Sequence, residues 1–278
     1  MGDLTVDLDE ARTALSAVAH RVALLLADDF DSSRTIPGLE WTVGDAVAHV
    51  ATETKSFARL ASGEITPEDM WNSYAPGTEG RPPSERMTLL NANEIASFDR
   101  SEVAGGGELI EAAVNDFLDT TRGWSSGGKF RGIEGDLEVA TATCIVMSEL
   151  LIHGGDLARG IGKPWEISAD EARLVLTAST SLLPDFFDAT EAGDMRATID
   201  MRVRGGPRFA IWVHDGRLEV ASRPIERVDC HISADPVAFL LVSYGRRSDV
   251  RSVLRGQLVA WGRRPWLAAR LPRLLKNP

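Results

Sequence analysis

The sequence predicts a two-domain chain of mixed class, a helical bundle followed by a small α+β domain. Apolar residues recur at helical spacing up to about residue 190 and alternate, as in strands, from about residue 195. The charge changes sign at the same place. Residues 1–200 hold 15 Lys and Arg against 35 Asp and Glu, whereas residues 201–278 hold 15 against 6. The predicted domains are therefore 1–190 and 195–278.

The first domain contains six segments with helical periodicity. Thr42 is placed to cap the second of them, which ends at Gly63, and Ser168 is placed to cap the last. The predicted helices are Leu8–Asp28, Ala46–Leu60, Ser84–Phe98, Glu108–Arg122, about Leu137–Ile161 and Ala169 to about Phe187. Loops rich in glycine, proline or serine are predicted over Ile65–Pro83 and Trp124–Gly135.

The second domain contains strands whose apolar and polar residues alternate, with Asp215-Gly216 as a hairpin turn. The predicted strands are Ala197–Val203, Arg208–His214, Arg217–Ser222, Val228–Ser233 and Gln257–Trp261. Helices are predicted over Pro236–Tyr244 and Pro265–Lys276. The second of these is basic and amphipathic, and we expect it to cover the small domain rather than to lie on a membrane.

Composition excludes several classes of protein. The chain is 44% hydrophobic and 26% charged, and it has no apolar run of about 18 residues that would predict a membrane span. The acidic N-terminus lacks the features of a secretory signal. Two cysteines cannot form a disulfide framework, which favours a reducing cytoplasm. The acidic first domain disfavours nucleic acid as a partner. We expect a monomer or homodimer with a small-molecule substrate.

Three polar residues share one stripe of the long, otherwise apolar helix. Glu149, His153 and Asp156 are related as i, i+4 and i+7, so they project within about 40–60° of one direction. Their burial is costly unless something compensates it. The next residues, Gly154 and Gly155, are expected to leave room for a ligand beside this stripe.

A divalent metal would compensate these charges. Glu149 and His153 can chelate one ion, and His49 on the second helix is the candidate third ligand. Three protein ligands with an open fourth position are typical of a catalytic zinc site. Asp156 is then a hydrogen-bond acceptor behind a ligand or a proton-transfer group. The alternative is that these residues form a buried structural cluster without metal.

Two motifs resemble those of a known family. Residues 39–50, LEWTVGDAVAHV, resemble the "W-t-v-x-d-l-x-x-H-l" signature of DinB-like metal-binding bundles. Residues 148–158, SELLIHGGDLA, resemble the "E-x-x-x-H-x-x-D" signature of the mycothiol-dependent maleylpyruvate isomerase family. That family joins a DinB-like four-helix bundle to a small α+β domain similar to sterol carrier proteins. The resemblance implies the same two domains here.

The resemblance also implies roles for individual residues. His49, Glu149 and His153 match the metal ligands of the family, and Asp156 matches its acidic catalytic residue. The family uses arginines to hold substrate or thiol, for which Arg246 and Arg247 are the first candidates and Arg81 and Arg86 the next. The implied cofactors are a divalent metal, expected to be zinc, and mycothiol as thiol cosubstrate.

The function implied is that of a mycothiol-dependent metalloenzyme, either an S-transferase or an isomerase. Its thiol would add to, exchange on or isomerise (cis to trans) a small electrophilic metabolite. Two alternatives stay open. One is a non-catalytic protein that binds a small molecule, and the other is a metal-dependent hydrolase that uses no thiol.

Overall fold

The computed structural model describes residues 4–81, 83–133, 135–224 and 227–275. It divides into two compact units, one formed by residues 7–166 and the other by residues 1–6 and 167–278. The first unit is mainly helical and the second combines helices with a sheet, so the chain has the mixed class that the sequence predicts. Among the described residues, none of the helices combines the length and apolar character needed to cross a membrane.

The first unit is built from helices and one short hairpin. The helices are α1 (Leu8–Leu25), α2 (Val43–Ser62), α3 (Pro67–Tyr74), α4 (Pro83–Ser97), α5 (Gly106–Thr120) and α6 (Val139–Ile161), with a 3₁₀ turn over Arg100–Gly105. Strands β1 (Lys129–Gly132) and β2 (Gly135–Glu138) pair antiparallel. Helix α1 packs against α5 and α6, and helix α2 packs against the same two helices.

Two predicted loops of this unit contain secondary structure. The loop over residues 65–83 holds α3, because Thr66 and Asp69 form a capping box and Pro67 occupies the first turn, where its missing N–H costs nothing. The loop over residues 124–135 holds β1 and the start of β2. These elements are short, so none of them gave a periodic signal in the sequence.

The second unit contains the helices α7 (Ala169–Ser179), α8 (Ala189–Ala192), α9 (Pro236–Ser243), α10 (Asp249–Leu254) and α11 (Leu267–Leu274). Its strands are β3 (Ala197–Val203), β4 (Arg208–His214), β5 (Arg217–Ala221), β6 (Cys230–Ala234) and β7 (Leu258–Gly262). The sheet order is β5-β4-β3-β6-β7, with β3 and β6 parallel and the other pairs antiparallel. The predicted hairpin joins β4 to β5, and both turn residues have positive φ.

One face of this sheet forms the apolar core of the second unit. Alternate residues of the strands, such as Ile199, Ile211 and Ile232, pack with Leu267 and Leu271 of α11. The amphipathic helix predicted near the C-terminus therefore covers the sheet, as expected. It ends at Leu274, and Lys276 lies outside the described residues.

The structure differs from the predicted domain boundary. Helix α7 was expected to end the bundle, but it groups with the second unit, where it packs against α9. The division therefore lies near residue 167 instead of residues 190–195. Helix α7 also ends at Ser179 rather than near Phe187. Helix α10 was not predicted, because six residues are too few to show a helical period.

The opposite face of the sheet holds a buried ionic cluster around Asp200. Arg208 Nε lies 2.8 Å from one carboxylate oxygen of Asp200, while Arg202 Nη2 and His231 Nδ1 lie 3.0 and 2.8 Å from the other. Burial acts to raise the pKa of Asp200, but the hydrogen bonds of Arg208, His231 and Arg202 and the charge of Arg202 outweigh it and hold the pKa at about 2.

We expect Asp200→Asn to destabilise the protein by about 1–2 kcal/mol at pH 7, since solvent screens the half-exposed arginines. The pKa of Asp200 is lower in the folded state, so its contribution is complete above about pH 4 and is lost as the pH falls towards 2. Denaturant unfolding of wild type and variant between pH 2.5 and 7 measures this difference. The exposed Asp170→Asn is the control, and a difference that does not change with pH would contradict the assignment.

Candidate metal centre

The start of helix α2 is fixed by a capping box that places His49 two turns into the helix. Thr42 Oγ1 accepts a hydrogen bond from the backbone N–H of Asp45, and the Asp45 carboxylate accepts one from the N–H of Thr42. Arg100 pairs with the same carboxylate at 2.9 Å. The "W-t-v-x-d" half of the motif therefore has a structural role, which is to set where the histidine projects.

Close contact at a glycine brings α6 against the start of α2. A Cβ at Gly160 would lie 2.7 Å from Val43 Cγ2 and 3.1 Å from Ile36 Cγ1, so no larger residue fits there without movement. Arg159 Nε donates to the backbone carbonyl of Pro37 at 3.0 Å. These contacts hold the last turns of α6 beside the segment that leads into α2.

The three predicted ligands meet between the two helices. Glu149 Oε2 lies 3.3 Å from His153 Nε2 and 3.8 Å from His49 Nε2. One ligand atom from each residue lies within 4.8 Å of the other two. The side chains of both histidines are at most 9% exposed, and that of Glu149 is 18% exposed. The structure therefore brings the three predicted ligands together.

The charges of this cluster are strongly coupled. Burial disfavours a charged imidazole, but the carboxylates of Glu149 and Glu53 outweigh it and raise the pKa of His49 to about 10. The pKa of His153 is raised against burial by Asp156 and Glu149. The two histidines in turn hold the pKa of Glu149 far below its usual range, although burial opposes this. Without a metal, protonation of the imidazoles thus balances the charge of the carboxylates.

Asp156 lies behind His153, on the far side of the ring from Glu149. Its Oδ2 is 3.2 Å from His153 Nδ1, and its Oδ1 is 2.6 Å from Arg159 Nη2. The Asp156 side chain is 1% exposed. A carboxylate that faces Nδ1 orients the ring so that Nε2 points towards the ligand site. This geometry favours a role for Asp156 as the charged partner that orients the His153 ring over direct proton transfer.

Sequence reasoning missed two side chains next to the ligands. Glu53 Oε2 lies 3.1 Å from His49 Nε2, and the i, i+4 spacing of this pair was a signal that could have found it. Trp41, which precedes the cap of α2, has its ring 4.9 Å from that of His49 and 5.5 Å from that of His153. The indole thus covers both imidazoles.

Glu94 of α4 is a further acidic residue of this region that the motifs do not contain. It is 2% exposed. Burial, and then the charge of Glu53, raise the pKa of Glu94 to about 7. Its Oε1 accepts no hydrogen bond from the described residues. Helix α4 therefore adds a buried acid whose pKa lies close to physiological pH.

The expectation that Gly154 and Gly155 leave room for a ligand is wrong. A Cβ at Gly154 would lie 2.4 Å from Cζ2 of Trp165, and one at Gly155 would lie 3.3 Å from Cδ1 of the same ring. Trp165 Nε1 donates to the carbonyl of Leu151 at 2.9 Å. The glycines thus accommodate an indole of the protein itself, which the sequence did not place beside them.

We expect Gly154→Ala to destabilise the protein by about 1–2 kcal/mol, because the overlap with Trp165 exceeds the gain of roughly 1 kcal/mol in helix propensity. Urea denaturation measures the change. Gly127→Ala is the matched control, since a Cβ there meets nothing within 4 Å. If Gly154→Ala were as stable as wild type, the indole would not occupy this space in solution.

The arginines that the resemblance implies lie elsewhere in the chain. Arg246 and Arg247 follow α9 in the second unit, where both backbone N–H groups donate to the carbonyl of Leu241. Their role with substrate stays a prediction. In the first unit, Arg81 is exposed, and Arg86 lies over the ring of Trp71 at 4.0 Å. The stacking gives Arg86 a structural partner.

The residues of the cluster fit a divalent metal. Two imidazoles and a carboxylate form a donor set that suits zinc and related ions. Nε2 of both imidazoles lies within 3.8 Å of Glu149 Oε2, so the donor atoms of all three residues face one another. Cys144, by contrast, is a thiol packed in the apolar core, and burial raises its pKa to about 12.

Fold and site together define the class, a helical unit with a candidate two-histidine, one-carboxylate metal centre joined to a smaller α+β unit. The chain is similar to a solved structure described as the mycothiol-dependent maleylpyruvate isomerase, with a TM-score of 0.51 and 14% identity over 92% of this chain and 93% of that one. A histidine-to-alanine mutant of that isomerase matches at the same TM-score, 13% identity and the same coverage. The resemblance that the motifs predicted is thus confirmed for the fold.

More distant comparisons add no argument. A stereoselective inverting sec-alkylsulfatase from Pseudomonas matches with a TM-score of 0.31 and 13% identity over 51% of this chain and 25% of that one. That similarity is too low to inform the fold. No protein-family model and no curated protein matches the sequence.

Proposed function

We propose that this protein is a mycothiol-dependent metalloenzyme that acts on a small electrophilic metabolite, as an S-transferase or a cis–trans isomerase. The observation that carries the proposal is the meeting of His49, Glu149 and His153 in one buried cluster. A fold similar to that of the mycothiol-dependent maleylpyruvate isomerase supports the choice of thiol.

Each residue of the cluster has a proposed part. His49 and His153 would hold the ion through Nε2, and Glu149 through Oε2. A bound divalent ion favours the thiolate form of a thiol at neutral pH and so supplies a nucleophile. Asp156 keeps the His153 ring oriented, and Arg159 holds Asp156. Trp41 shields the two imidazoles from water on one side.

The remaining parts of the proposal concern substrate, architecture and location. Arg246 and Arg247 are the proposed anchors for a carboxylate of the substrate. We assign the first unit to the DinB-like four-helix bundles and the second to the sterol-carrier-like domains. Cys144 and Cys230 are both buried free thiols, which supports a cytoplasmic location. We further propose zinc as the metal and a monomer or homodimer as the state in solution.

Metal content and thiol affinity of the purified protein test the proposal. We expect about one divalent ion per chain, measured by elemental analysis, and mycothiol binding by calorimetry that disappears when a chelator removes the ion. Metal without affinity for mycothiol would favour the thiol-independent hydrolase. Stable protein with neither property would favour the non-catalytic binding protein.

A further inference from the structure

We propose that the outer edge of strand β7 pairs with the same strand of a second copy of the chain, which makes the protein a two-fold homodimer. This goes beyond the proposed function, which leaves monomer and homodimer open and does not depend on the contact. Strand β7 (Leu258–Gly262) lies at one end of the five-stranded sheet. It pairs with β6 on one side, and on its other side no strand of the described residues is paired with it.

The backbone polar groups at this edge are available to another strand. The N–H of Asp235 donates to the carbonyl of Gln257 at 2.7 Å, so Gln257 directs its polar groups towards the β6 side. Neighbouring residues of an antiparallel strand alternate in this direction. Leu258 and Ala260 therefore direct their N–H and C=O groups away from β6. A free row of such groups is a template for strand pairing.

Exposed apolar side chains concentrate around the same edge. Of the nine large hydrophobic side chains that are exposed among the described residues, six lie between residues 250 and 266. Val259 and Trp261 belong to β7 itself, and the short helix α10 that packs against β7 supplies Val253 and Leu254. Strand β7 contains no proline and no charged residue, which are the usual protection of a free edge. This edge is thus suited to being covered.

The sequence of β7 is complementary to itself. Two antiparallel copies related by a two-fold axis at Ala260 bring Ala260 opposite Ala260 of the second copy, in a hydrogen-bonded pair. Val259 then lies opposite Trp261 of the second copy, in a pair without hydrogen bonds, where side chains approach most closely. A β-branched residue opposite an aromatic one is a favourable cross-strand pair. The two-fold axis produces this contact twice.

Two features prepare the edge for this contact. The Trp261 ring stacks on that of His231, with 5.3 Å between the ring centroids, so the indole is already held on one face of the sheet. Nη2 of Arg204 donates to the carbonyls of Gly256 and Gln257 at 2.6 and 2.7 Å, which fixes the turn that leads into β7. The edge therefore needs little ordering when it pairs.

Charge favours a second copy over an acidic peptide as the occupant. The flanking arginines are already engaged, since Arg263 pairs with Asp229 at 2.9 Å and Arg264 donates to the carbonyl of Arg196 at 3.1 Å. The edge thus offers an uncharged, apolar strand, which matches another strand of the same kind. Residues 201–278 carry a net charge of +9, from 15 Lys and Arg against 6 Asp and Glu. Two copies therefore repel each other through charges that salt screens.

Sedimentation velocity of the full chain tests whether the dimer exists. Five paired residues with flanking side chains form a small interface, so we expect a dissociation constant on the order of 10 μM. Measurements from about 1 to 300 μM should then show a monomer–dimer equilibrium. Raising NaCl from about 0.1 to 0.5 M should shift it towards the dimer. A chain that stays monomeric throughout would overturn the inference, and the edge would be left for a strand of another protein.

Two edge variants test whether β7 forms the interface. Val259→Lys places a charge in the strand, and Ala260→Pro removes an N–H that points outwards; each should weaken the dimer by at least about tenfold. Leu24→Lys is the control, because Leu24 is an exposed apolar residue of the first unit. Circular dichroism checks the fold, and Val259→Lys decides the question if the proline variant misfolds. A dimer that neither edge variant weakens would use another surface.

A disulfide tests the register. Ala260→Cys should form a cross-linked dimer on oxidation, because the Cα atoms of a hydrogen-bonded pair lie about 5.5 Å apart, within the range of a disulfide. Val259→Cys is the matched control. Val259 and its copy are diagonal neighbours about 7–8 Å apart, which is too far. The native Cys144 and Cys230 are buried. Equal cross-linking of the two variants, or none in Ala260→Cys, would overturn the proposed pairing.

Discussion

Replacement of His153 by alanine is expected to remove metal binding and, with it, the binding of mycothiol. His153 supplies one of three predicted ligands and lies 3.3 Å from Glu149, so its loss also leaves that carboxylate with one imidazole partner fewer. Structural zinc sites bind with about 10–16 kcal/mol shared over four ligands. Loss of one ligand therefore weakens binding by at least about two orders of magnitude. Competition with a chelating dye measures the metal affinity, and calorimetry measures that of the thiol.

Two further variants make this result specific. His153→Gln keeps a polar side chain in the cavity and should also lose the metal. His20→Ala removes an exposed histidine of the same unit, which pairs with Glu111, and should keep both affinities. Thiol binding that survives in folded, metal-free His153→Ala would rule out activation of the thiol by the ion.

The second largest effect is expected for Asp156→Asn, which keeps the shape of the side chain and removes its charge. The carboxylate then no longer faces His153 Nδ1 or pairs with Arg159. Loss of such a partner behind a ligand typically reduces metal affinity by about 10–100-fold. Metal titration by calorimetry measures the change.

The unfolding free energy of Asp156→Asn must be measured together with its metal affinity, because Asp156 is a buried charge. We expect the metal-free variant to lose about 1–3 kcal/mol of unfolding free energy, since Arg159 is 39% exposed and can turn to solvent. The exposed Asp119→Asn is the control. A loss of stability with unchanged metal affinity would show that Asp156 has a purely structural role.

The sequence determined the class of the fold and the three residues of the candidate metal centre. Apolar residues repeat about every 3.6 positions in a helix and every second position in a strand. These repeats are local, so residue spacing alone predicted the long helices and the strands of the sheet. The pairs Thr42 with Asp45 and Glu149 with His153 are also local, since a helix places residues three or four apart on one face. His49 was a candidate from its place among apolar residues of the second helix, and the resemblance of residues 39–50 to a metal-binding motif supported that choice.

Only the tertiary structure decided which residues surround those ligands. The indole of Trp165 beside Gly154, the ring of Trp41 over two imidazoles and the acid Glu94 near Glu53 all depend on how distant segments pack. The assignment of α7 to the second unit depends on the same thing. Spacing along the chain fixes the direction of a side chain within its own helix, but packing between elements fixes what that side chain meets.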